Sequence, residues 1–134
     1  MSASKLPWLI AGGAAGALVL VLVMARGGRA ANHPEPRLGV TAEGVLPPAV
    51  VPNTPNATEA YAAARAAPAV LDGVYCHCNC SRTVGHRSLL TCFESEHGAY
   101  CEICTGEALL TAQVAAQGKT LQQVRQAIDR QFGS

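Results

Sequence analysis

YCHCNCSRTVGHRSLLTCFESEHGAYCEIC, residues 75–104, holds all six cysteines of the chain and three of its four histidines. Cys76, Cys78 and Cys80 alternate, Cys92 stands alone, and Cys101 and Cys104 close the set as C-x-x-C. Thiolate sulfur is the softest ligand a protein offers, and sulfur at this density points to a soft cation. The stretch also decides the fold. Residues 75–86 are too rich in turn formers for a helix, and nothing alternates with period two long enough to be a strand. The expectation is an all-α class: a small helical domain organised around a Cys/His cluster.

Side chains two apart in an extended segment share a face, so Cys76, Cys78 and Cys80 can aim their sulfurs the same way. Cys101 and Cys104 sit i, i+3 at a helix start, where their side chains are neighbours and the helix N-terminus lowers a thiol pKa. Cys92 can join either set. The candidate metal ligands are therefore Cys76, Cys78, Cys80, Cys92, Cys101 and Cys104, with His86 or His97 completing a site. His77 reads as a ligand to a second ion or as a residue facing water. Glu94, Glu96, Glu102 and Glu107 are hard ligands, expected to be solvated or to shield the helix start.

Outward from the cysteines the pattern becomes helical. Downstream, 99–117 has helical spacing, with Ile103, Leu110 and Val114 roughly aligned and Gly118 as a stop. Thr120 with Gln123 makes a capping box for a last helix striped by Leu121, Val124, Ile128 and Phe132. A short helix is expected over 86–93, with Leu89, Leu90 and Phe93 on its apolar side, and a turn over 94–98. Upstream, Asn56 with Glu59 reads as a capping box for EAYAAARAA, which Pro68 ends or kinks.

Three segments follow. Residues 6–25 run for twenty positions without a charge, long enough to cross a hydrocarbon core of about 30 Å. This length favours an N-terminal transmembrane anchor over 1–26 rather than a cleaved signal peptide, although Val23 and Ala25 would suit a cut after Ala25. Residues 27–55 are rich in proline and alanine and are expected to be a disordered linker, with His33 a solvated bystander. The folded domain is placed at 56–134.

Lys5 against Arg26, Arg29 and Arg37 would keep the carboxyl end in the cytoplasm by charge alone. A single N-terminal apolar segment carrying a domain is, however, ordinarily exported. The expectation is a single-pass protein of the cell membrane with its domain outside the cytoplasm, in the periplasm.

The net charge of +1 gives no electrostatic footprint for nucleic acid. With only 4% aromatic residues, so small a domain needs a metal, disulfides or a partner to be stable. Copper(I), which accepts two or three thiolates and is readily bridged, suits this surplus of sulfur. Zinc and an iron–sulfur cluster are the alternatives. The function expected is soft-metal binding for delivery, storage or resistance, with a metal donor or acceptor protein as partner. Six cysteines outside the cytoplasm also fit a disulfide-stapled interaction domain. A third reading is a thiol–disulfide oxidoreductase acting through Cys101 and Cys104, although the strand–helix–strand pattern of thioredoxin is missing.

The string C-H-C-N-C from Cys76, followed by G-H-R-S-L-L-T-C-F and H-G-A-Y-C-E-I-C, resembles the bacterial PCYCGC-motif proteins. The likeness covers roughly 58–132. It implies an exported, membrane-attached domain and names no metal. Val74-Tyr75 and Asn79 stand where the motif has proline and glycine, and no lipobox cysteine follows the apolar segment, which implies attachment by the helix rather than by lipid.

Overall fold

Helices form where this chain concentrates alanine, leucine and glutamine, and they stop at proline or glycine. The structure is a computed structural model that describes residues 31–133. Among these, the α-helices are α1 (Ala57–Ala66), α2 (Pro68–Asp72), α3 (Cys80–Thr83), α4 (Glu102–Ala116) and α5 (Leu121–Phe132). Single 3₁₀ turns occupy Ala42–Gly44, Pro48–Val50, Leu90–Phe93 and Glu96–Tyr100. No strand occurs among the described residues, and the all-α class holds. The apolar stretch 6–25 lies outside the described residues, and no described helix is long and apolar enough to cross a membrane.

In α1, Ala57, Ala60, Tyr61 and Ala64 are fully buried, an i, i+3, i+4, i+7 stripe. Its alanines let the helix lie close along α4, which in turn packs on α5. Tyr61 reaches over to Phe93, edge to face at 4.9 Å, and donates its hydroxyl to the Ser95 carbonyl at 2.5 Å. Pro68 opens α2 at its first turn, as its fixed φ allows. The capping box of Thr120 and Gln123 is present, and Val124 and Ile128 of α5 are buried.

Some local expectations are corrected. Asn56 precedes α1 with φ 61° and makes no side-chain cap, because capping geometry requires an extended backbone there. Residues 86–93 contain only a 3₁₀ turn, although Leu89, Leu90 and Phe93 are buried as expected. The inward face of α4 is Cys104, Glu107, Ala108 and Thr111, and Ile103 is 40% exposed. The helix turns its sulfur side inward at the expense of its larger aliphatic side chain.

The largest correction concerns residues 31–55. They are not a free linker but an arm laid over the bundle, with Val45 buried in the core. A proline-rich segment has few amides to offer a ladder, so its carbonyls need donors from elsewhere. Arginines supply them. Arg65 donates to the Ala42 and Val45 carbonyls at 2.7 and 2.6 Å. Arg125 donates to the Pro34 carbonyl at 2.7 Å, and Arg87 to the Glu35 carbonyl. The His33 side chain is only 7% exposed and is engaged rather than solvated: its Nδ1 accepts the Tyr75 amide at 3.0 Å and its Nε2 meets Asp129 at 3.1 Å.

Asp72 is the arm's main anchor. It is fully buried and accepts the Arg37 amide at 2.6 Å, the Arg37 guanidinium at 2.9 Å and the Ser88 hydroxyl at 2.9 Å, with Arg87 at 2.9 Å. Burial alone would raise its pKa, but the Arg37 and Ser88 hydrogen bonds outweigh this and hold it below the usual carboxylate value. An unfolded aspartate titrates near about 3.9. The ionised carboxylate therefore stabilises the fold above about pH 4, and this contribution fades as pH falls through the lower folded-state pKa. Asp72→Asn is expected to cost about 2 kcal/mol at pH 7. The gap between variant and parent in urea melts should narrow below pH 4, and an equal gap at pH 7 and pH 3 would exclude this role.

Candidate metal centre

The chain reaches the centre through Tyr75 and turns sharply at Asn79, whose φ of 63° is left-handed. The three alternating sulfurs nevertheless stay together, all within 4.8 Å of one another. Cys76 and Cys78 also meet Cys104 of α4, and Cys80, at the start of α3, also meets Cys92. The sulfurs of Cys76 and Cys78 are 3.4 Å apart, and each lies 3.5 Å from Cys104. Cys101 caps α4, taking the Cys104 amide at 3.5 Å, and forms a group with Cys78 and Cys104. Cys80 and Cys92 are 3.4 Å apart, with His86 Nδ1 3.3 Å from Cys92. His97 completes this second group, its ring 4.5 Å from that of His86.

The eight residues singled out by sequence are thus brought together, in two adjoining groups rather than one. Cys92 also lies in a group with Cys76 and Cys104, and Cys80 in one with Cys76 and Cys78, so both stand between the two. All six cysteines are free, and Cys76, Cys80, Cys92 and Cys104 are buried. Gly98 allows the 96–100 turn to close over Cys92. A Cβ there would meet the Cys92 carbonyl at 2.9 Å and the Phe93 ring at 2.9 Å.

Among the described residues, the groups that act most strongly on the buried thiols are other thiols. The Cys76 thiol is pushed up by its contact with Cys104 and by burial. Sulfur contacts act in both directions on Cys92 and Cys104, and with burial the net direction for both is also upward. The expected depression of Cys104 by the helix N-terminus is overturned, because burial among other thiols dominates. Such a centre is neutral when protonated and becomes anionic only if a cation takes the protons' place, so uptake of an ion releases protons. Burial, followed by the neighbouring His97, lowers the His86 pKa and favours the neutral, ligating imidazole.

Sequence reading missed the support behind the sulfurs. His77 does not face water: its Nδ1 meets Glu107 at 2.5 Å, and its amide donates to the same carboxylate at 3.1 Å. Its Nε2 lies 3.2 Å from Asp129, within ion-pair range but without the alignment of a hydrogen bond. The Glu107 contact raises the His77 pKa. Glu107 is not solvated but fully buried, and it fixes the loop residue between two of the thiols. Nothing local announces these pairings, which span 30 residues for His77–Glu107 and 96 for His33–Asp129.

The family model described as a protein of unknown function with PCYCGC motif matches residues 39–134. No curated protein and no solved structure matches the chain. The match begins upstream of the expected domain boundary and takes in most of the arm, consistent with the arm's contacts with the bundle. Asn79 stands where the motif has its glycine. The left-handed φ explains the exchange, since asparagine is among the few residues that tolerate it.

A buried carboxylate that orients a ligand loop ordinarily contributes about 10–100-fold to metal affinity. Glu107→Ala is expected to weaken metal binding by that factor in a competition titration, whereas exposed Glu96→Ala should leave it unchanged. Equal effects of the two substitutions would remove Glu107 from the centre.

Proposed function

This chain belongs to the PCYCGC-motif family, and we propose that it binds a soft metal ion, copper(I), for delivery, storage or resistance. On this reading the apolar segment 6–25 anchors the protein in the cell membrane. The domain lies on the extracytoplasmic side and exchanges its ion with a donor or acceptor protein.

One observation carries the proposal. Cys76, Cys78 and Cys104 form a nearly equilateral triangle of sulfurs, with edges of 3.4, 3.5 and 3.5 Å. Metal–thiolate bonds run near about 2.3 Å for zinc, and a triangle of this size places all three sulfurs within such reach of a common centre. A disulfide uses its sulfurs in twos, whereas here each of the three has two sulfur neighbours. Cys101 adjoins the triangle beside Cys78 and Cys104, giving a further thiol and room for bridging. Three-coordinate, bridged thiolate sites favour copper(I) over zinc. The nearest buried carboxylate, Glu107, is engaged by His77 and brings no hard ligand to the triangle.

The test is an anaerobic titration of the reduced chain with copper(I) against a chromophoric competitor. Tight uptake is expected, weakened at least about a hundredfold by Cys104→Ser, since losing a ligand should exceed losing its support. Absence of uptake by the reduced chain would refute the proposal. An intact mass lower by three disulfides in the chain as isolated would favour the stapled interaction domain.

A further inference from the structure

The second group differs in chemistry from the triangle. Cys80, His86, Cys92 and His97 each place one ligand atom so that all four lie within 4.8 Å of one another. The spacing is C-x5-H-x5-C-x4-H, and one continuous stretch of the chain supplies every member. By contrast, the triangle draws on both sides of that stretch.

Two sulfurs and two imidazole nitrogens form a closed tetrahedral donor set of borderline softness, the composition of a structural zinc site. Two thiolates and two neutral imidazoles around a divalent ion also leave the buried site without net charge, as a low-dielectric setting favours. A second observation points the same way. His97 Nε2 is buried with no hydrogen-bond partner, an orphan that folding alone does not satisfy. The His86 and His97 rings meet edge to face at 4.5 Å, so the two half-buried imidazoles border the same small space. The intervening chain consists of one-turn helices and 3₁₀ turns, which need an external tie to hold their shape.

We propose that Cys80, His86, Cys92 and His97 bind one structural zinc-class divalent ion, separate from the soft-metal triangle. By fixing residues 80–97, this ion sets Cys92 against Cys76 and Cys104. The site shares no residue with the triangle, although its Cys80 and Cys92 lie against the triangle's sulfurs, so the two ions must be told apart by measurement.

The test uses the full-length reduced chain supplied with zinc chloride and with copper(I) below the amount that fills the thiols. Metal content is measured after a copper(I)-specific chelator, and cobalt(II) is substituted for zinc as a spectroscopic probe. One zinc per chain should survive the chelator. Cobalt should give the visible spectrum of a tetrahedral site with mixed sulfur and nitrogen ligands. His97→Ala should lose the zinc and that spectrum, and His97→Cys, which restores a fourth ligand, should recover zinc binding with a more sulfur-rich cobalt spectrum. Cys101→Ser should lower copper(I) affinity and leave the zinc in place. Should His97→Ala prevent folding, recovery in His97→Cys still supports the site, and failure of both variants to alter zinc content overturns it. Copper(I) uptake with no zinc bound under any loading sinks this inference alone, and zinc retention with no copper(I) uptake sinks only the copper proposal.

Discussion

Four thiols sit in the interior of this domain with other sulfurs as close neighbours, and the rest of the fold must accommodate that concentration. A buried thiol is tolerable while protonated, because it is a small, weakly polar group. Several together can all ionise only around a cation, since mutual repulsion and burial otherwise hold their protons in place. The helices are arranged accordingly. α4 faces inward with Cys104 rather than with its largest aliphatic residues, and α1 approaches it on alanines. The remaining apolar core is modest, with Tyr61 and Phe93 as its fully buried rings. A cation among the sulfurs would add stability that this core supplies only sparingly.

Around the sulfurs runs a frame of buried polar contacts. Asp72 gathers Arg37, Arg87 and Ser88, while Glu107 and Asp129 hold His77 and His33. These carboxylates are far from one another in sequence, and together they tie the arm, the cysteine loop and the two long helices into one unit. The arm is thus part of the domain, held by arginines that donate to its carbonyls because a proline-rich strand cannot pair by itself. This frame accounts for an organised centre in a chain with so little regular structure between α2 and α4.

Much of this was legible in the sequence. Ligand chemistry is local, so the cysteine and histidine spacing identified the eight residues that come together. The capping box of α5 and the apolar stripe of 121–132 were equally readable, because helix signals repeat within a few residues. What escaped reading was long-range. Proline and alanine over 31–55 look like a linker until Asp72 and Arg65 are seen to face them. His33, His77 and Glu107 carry no local sign of burial, and their partners lie 30 or more positions away. Alternation in C-x-C-x-C suggested one common face, and the three sulfurs do lie together, but Cys80 beyond the left-handed turn at Asn79 also joins His86, Cys92 and His97. The clue to that turn lay in an asparagine standing where the motif has glycine.

The central claim is that sulfur at the Cys76–Cys78–Cys104 triangle grips a soft cation. Copper-edge X-ray absorption on the anaerobically loaded chain tests it most directly, because it reports the atoms around the ion itself. A nearest shell made of sulfur alone is the expected result. A shell dominated by nitrogen or oxygen, or a loaded sample that holds no copper at all, would contradict it.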